Sequence, residues 1–145
     1  MAEQRISLTR TISAKPDRIF NLLADPGRHA LVDGSGTVLS ARSGGPERLS
    51  LGSTFGMSMR LGIPYRITNT VVEFRENELI AWRHAGGHRW RWELRDNGDG
   101  TTDVTETFDW STSRAPKVLE FAGIPQRNLR AIRASLRRLE AVMTA

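Results

Sequence analysis

Glu106 stands in the run Val104-Thr105-Glu106-Thr107-Phe108-Asp109-Trp110, where large apolar residues recur at every second position. Side chains at i, i+2 and i+4 of a strand share one face, so this spacing aims a carboxylate at the same side as Val104, Phe108 and Trp110. An ionised carboxylate buried without a partner costs several kcal/mol. It must pair, take up a proton or meet a polar group of a ligand, and a raised pKa would equip it for general acid or base work. The structural alternatives are an ion pair with an arginine, or a bulge near the strand end that turns it outward. His84 shares the parity of Ile80 and Trp82 and is the second candidate, as a hydrogen-bonding group or proton shuttle. Its plainer role is a histidine satisfied at the rim of a hairpin. Tyr65 is a third group that could serve acid–base chemistry.

Other chemistries lack their residues. The chain has no cysteine, which removes disulfides, thiolate ligands and cysteine nucleophiles. His88 is expected in a turn and His84 in a strand, with His29 remote, so no metal site is predicted. Neither a Gly-x-Gly-x-x-Gly loop nor a nucleophile elbow is present, and no cofactor is predicted.

The element that must position these groups is a hairpin, Ile80-Ala81-Trp82-Arg83-His84 followed by Gly86-Gly87-His88-Arg89-Trp90-Arg91-Trp92-Glu93-Leu94. A two-residue Gly86-Gly87 turn would pair Trp82 with Arg91 and scatter the rings over both faces. A Gly86-Gly87-His88 loop pairs His84 with Trp90, Trp82 with Trp92 and Ile80 with Leu94, collecting every ring on one side. Continuing that face across the next turn sets Glu106 opposite Trp92. The predicted wall comprises Phe55, Met57, Met59, Trp82, Trp90, Trp92, Phe108 and Trp110, with Arg83, Arg89, Arg91 and Arg95 outside. Rings and cations on opposite faces argue against single-stranded nucleic acid, whose readers need both on one face.

Around this hairpin, Ile6, Leu8 and Ile12 mark a first strand, about residues 4–13. Pro16 opens a short helix carrying Ile19, Phe20, Leu22 and Leu23, and a second short helical turn covers about 28–33. Strands follow at Val38-Leu39, at Phe55-Met57-Met59-Leu61, from Arg66 to Phe74 after a Gly62-Ile63-Pro64 break, from Leu79, and from Thr102 to Trp110. Val71 and Val72 are both apolar, which leaves the inward parity of Tyr65, Thr68, Asn69 and Thr70 open. A helical lead-in through Val118, Leu119, Phe121 and Ala122 ends at Gly123-Ile124-Pro125. The terminal helix, about 126–142, carries the stripe Leu129, Ile132, Leu136, Leu139 and Met143 at helical spacing.

The length of 145 residues, with 39% hydrophobic, predicts one domain over 1–145 with a substantial core. No apolar run reaches the twenty residues of a transmembrane helix, and the amino terminus lacks the pattern of a signal peptide, so a cytoplasmic protein is expected. The net charge is +5. Arg127, Arg130, Arg133, Arg137 and Arg138 against Glu140 carry four of those five charges, opposite the apolar stripe, as on the solvated back of a packed helix.

One strand, two short helices, a long antiparallel meander and a terminal amphipathic helix together resemble the START-like polyketide cyclase/dehydrase and lipid-transport superfamily (SRPBCC). The resemblance is carried by residues 12–20, Leu23-Ala24-Asp25-Pro26, residues 51–55, Ile80-Ala81-Trp82, residues 100–105 and Leu136-Arg137-Arg138-Leu139. It implies an α+β helix-grip fold: a curved antiparallel sheet wrapped around a long C-terminal helix, enclosing an apolar cavity that Leu129, Ile132 and Leu136 would line from the helix. The expected partner is a small hydrophobic molecule, a lipid, acyl chain or polyketide-like aromatic, held by a monomer or homodimer acting as carrier or sensor. Two alternatives stand beside it: a cyclase or aromatase using Glu106 and His84, and an interaction module using the basic terminal helix. Fold alone does not choose among them.

Overall fold

The computed structural model describes residues 3–35, 38–41, 45–61 and 63–145. Among these, seven strands form one antiparallel sheet in the order β1-β7-β6-β5-β4-β3-β2. The strands are β1 (Arg5–Ile12), β2 (Val38–Ala41), β3 (Thr54–Leu61), β4 (Ile63–Arg75), β5 (Leu79–His84), β6 (Arg89–Asp96) and β7 (Thr102–Asp109). The helices are α1 (Pro16–Leu23), α2 (His29–Val32), α3 (Pro116–Phe121) and α4 (Ile124–Thr144). The fold is the α+β helix-grip arrangement, with the long α4 packed along β1 and β7. No helix among the described residues is long and apolar enough to cross a membrane.

Proline starts α1, α3 and α4 in the first turn, where the missing N–H is an unpaired group in any case. The terminal helix opens at Ile124 rather than near 126, because Gly123 adopts φ 71°, a left-handed turn that lets Ile124-Pro125 enter the helix directly. Ile132 and Leu139 on α4 are fully buried with Ile12, Ile19, Phe20, Leu22, Val104 and Phe108.

The hairpin register differs from the predicted one by two residues. Trp82 pairs with Trp90 and Ile80 with Trp92. The chain reverses through Ala85-Gly86-Gly87, with Gly86 N–H donating to His84 Nδ1 (2.9 Å) and Gly87 at φ 103°. His88 is therefore already paired, its carbonyl accepting from His84 N–H at 2.9 Å. A shift of two keeps parity, so the rings still share one face. Across the next turn Glu106 lies opposite Trp92.

The unresolved parity of β4 has a local cause. Val71 pairs with Trp82 but Glu73 with Ala81, so Val72 is the extra residue of a β-bulge. Val71 and Phe74, three apart, thus face the same side. Before the bulge Asn69 faces inward; after it Glu73 faces outward. The Gly62 of the predicted break lies outside the described residues, while Ile63 and Pro64 are already paired with Leu61 and Arg60 in the β3–β4 hairpin.

Candidate functional site

Between the sheet and the α2 and α4 helices lies a cavity of about 260 Å³. Phe55, Met57 and Met59 reach it from β3, Trp82 and His84 from β5, Trp90 and Trp92 from β6, and Glu106 from β7. Alternation explains this convergence: each strand spends its inward positions on a ring, a methionine or, at Glu106, an acid.

Five residues predicted for the wall lie elsewhere. Phe108 is fully buried but packs sideways, tilted on Trp90 at 4.9 Å and stacked on Trp110 at 5.6 Å. Trp110 sits past the end of β7 and donates from Nε1 to Glu120 Oε1 at 2.9 Å, which ties the strand end to α3. Ile132 and Leu136 belong to the solid core and Leu129 is half-buried beside them. The helix surface on the cavity is instead Ile124, Arg127, Asn128, Ala131 and Ser135, a second stripe one residue out of step with the apolar one. The most apolar stripe of α4 goes where packing is densest, and the cavity receives the smaller and more polar neighbours.

Glu106 is 5% exposed. The ladder of β7 is regular from Thr102 to Asp109, so no bulge turns the side chain away, and among the described residues its Oε1 has no hydrogen-bond partner. Burial, and then the nearby charge of Asp33, hold its pKa well above the ordinary carboxylate range. Asn69, 4% exposed, also lines the cavity.

The histidines are neutral groups. His29 was set aside by sequence distance, yet α2 brings it onto the cavity, where its ring stacks on Trp82 at 5.0 Å and its Nε2–H donates to the Leu23 carbonyl at 2.8 Å. Burial lowers its pKa. His84 Nδ1 accepts from Gly86, which leaves the ring proton on Nε2, and burial lowers this pKa too. His84 and His88 come together despite their different expected settings, stacked at 4.4 Å. Burial, and then the proximity of His84, bring His88 down to about 4. Among the described residues no three ligating side chains gather.

His84 and Glu106 are not brought together. Two strand spacings and four residues of register separate them, about 16 Å between backbone positions. On the outer face, Glu73 accepts from Arg91 Nε at 2.7 Å and lies 3.8 Å from Arg89, while Arg91 meets Glu93 at 3.1 Å. The bulge at Val72 that puts Glu73 there hid this network from the sequence. Asp33, Arg127, Asn128, Ala131 and Ser135 were also missed, being polar or small.

The model for the family described as polyketide cyclase / dehydrase and lipid transport matches residues 3–144. The chain belongs to this family. The Mycobacterium tuberculosis protein Rv0088, described as uncharacterised, is 41% identical to this chain over 140 residues, 93% of this chain and 62% of that protein. The chain thus spans about three-fifths of the length of the curated relative. Among solved structures, CV1439 from Chromobacterium violaceum superposes with a TM-score of 0.74 at 18% identity, covering 98% of both chains. An AHSA1-like protein from Aeromonas hydrophila gives 0.67 at 20% identity, covering 95% of this chain and 93% of that one. At such identities the likeness is one of fold.

Proposed function

We propose that this chain binds a small hydrophobic molecule in the cavity between the sheet and α4, as a carrier or sensor. The observation that carries the reading is the wall itself: three of the four tryptophans, with Phe55 and two methionines, border one open volume. The volume of about 260 Å³ lies just below the usual range of ligand pockets, which starts at about 300 Å³, so it suits a small guest. Rings supply stiff apolar area and methionines adapt to an irregular guest. The separation of His84 from Glu106 weighs against a cyclase in which these two act on one bond, since general acid and base must each lie within hydrogen-bond reach of the reacting atoms.

Titration of the purified protein with 4-phenylbutan-1-ol, followed by tryptophan emission, tests the reading. A saturable change is expected, weakened at least tenfold by Ala131→Leu, which places three more carbons into the cavity from α4. No saturable response from the wild-type protein would overturn it.

A further inference from the structure

The apolar wall leaves one end of the cavity chemically distinct. Glu106 reaches it from β7 and Asp33 from the end of α2, close enough that the charge of Asp33 acts on Glu106. Asp33 itself accepts from the Ser35 hydroxyl at 2.8 Å and from the Ser35 N–H at 3.2 Å. Asp33 brings a negative charge to this end, with the Arg138 guanidinium donating to its backbone carbonyl at 2.7 Å, and Trp92 stands directly opposite Glu106 in the sheet register. Ring faces are the negative part of an aromatic quadrupole. Glu106 Oε1, sealed from solvent, is an oxygen for which no described residue supplies a donor. The rings and the orphaned acceptor, with the charge of Asp33 beside them, ask for the same thing, a positively charged group bearing N–H bonds.

We propose that the cavity takes a lipophilic amine, its ammonium group donating to Glu106 beside Asp33 and Trp92 and its apolar part lying among Trp82, Trp90 and the β3 methionines. This rests on the reading of the cavity as a ligand site. Arg127 also lines the cavity and opposes a cation, but it belongs to the first turn of α4. The acids meet that helix near Ser135, whose Oγ accepts from Gly34 N–H at 2.8 Å, eight residues or about 12 Å further along. The Arg127 guanidinium is thus at the other end of the guest, while that of Arg138 is held on the Asp33 carbonyl at 2.7 Å. On binding, Glu106 releases its proton to solvent and the amine keeps its own, so that a salt bridge replaces a buried neutral acid. Ammonium against aromatic rings adds to the attraction when both are desolvated.

The test is calorimetric titration at pH 8 with three probes of one shape: 4-phenylbutylamine, 4-phenylbutan-1-ol and 4-phenylbutyrate. The amine is expected to bind at least tenfold more tightly than the alcohol, the carboxylate more weakly than either, and Glu106→Gln to erase the amine's advantage over the alcohol. Circular dichroism of the variant checks that it folds, and the amine-to-alcohol ratio in the wild-type protein decides the matter without it. Between pH 5 and pH 8 the amine should gain affinity as Glu106 becomes easier to ionise. The charged and titratable groups around it are Asp33 and His29 at α2, Arg127 and, on the Asp33 carbonyl, Arg138 from α4, and His84 and His88 at the hairpin. An alcohol bound as tightly as the amine, or an amine preference surviving in Glu106→Gln, overturns the ligand class and leaves the cavity reading standing. Failure of all three probes overturns both.

Discussion

At the scale of single residues, two kinds of buried titratable group pull stability in opposite directions. The folded state holds Glu106 protonated above the pH at which the unfolded chain ionises it. Its contribution is present below about pH 4.5 and is lost as pH rises toward the folded pKa, by about 1.4 kcal/mol per pH unit. Glu106→Gln, neutral throughout, should gain stability relative to wild type with that slope; parallel urea midpoints from pH 5 to pH 8 would refute the burial. His88 has the reverse sign. Its pKa is lowered to about 4, so the stability present above about pH 6.5 disappears as pH falls toward 4. His88→Phe keeps the ring against Phe108 and should flatten this acid limb in the same urea series. Neither role was legible as such: parity placed Glu106 inward correctly, but the stacking of His88 on His84 follows from where the loop closes, which parity does not encode.

At the scale of elements, alternation was the strongest signal and helical amphipathicity the most misleading. Trp82, Trp90, Trp92 and Glu106 could be assigned to one face because a register error of two residues preserves every side. The bulge at Val72 could not be read, since Val71-Val72 offers no polar partner to reveal which residue is extra. On α4, Leu129, Ile132 and Leu136 were assigned to the cavity by the rule that apolar residues seek apolar space. The solid core claims Ile132 and Leu136, Leu129 stays half-buried, and the stripe through Ala131 and Ser135 is left for the open volume. That stripe is held against α2 through Gly34, where a Cβ would collide with the Ala131 carbonyl oxygen and Ser135 nitrogen. Both are backbone atoms and cannot swing aside. Gly34→Ala should therefore cost about 1–3 kcal/mol, read as a melting temperature lower by several degrees. An unchanged melting temperature would mean that this close approach does not exist.

At the scale of the whole molecule, the cavity interrupts a core that is otherwise continuous from β1 to α4. A guest that binds only the folded chain adds about 2.7 kcal/mol at a hundredfold excess over its dissociation constant, a rise of about 5–10 °C in melting temperature for a chain of this size. That rise should track ligand concentration logarithmically in a thermal-shift series, and Ala131→Leu, weakening binding tenfold or more, should cut it to about half or less at the same concentration. Helix-grip architecture was legible from element order, because a meander followed by an amphipathic helix has few ways to bury its apolar face. The polar end of the cavity was only half legible: parity set Glu106 inward, but Asp33 comes beside it through the turn after α2, which no periodicity marks.

The amide of Gly34 resting on Ser135 has a mechanical consequence. It couples the end of α2 to the middle of α4 as a stiff bracket, through the short Ser135 hydroxyl alone. Expansion to admit a guest therefore falls to the opposite bank, where Met57, Met59 and Ile67 border the volume and thioether chains change shape at little cost. Isotope-labelled methionine methyls at positions 57 and 59 should report entry first, while the resonance of the Gly34 amide stays still.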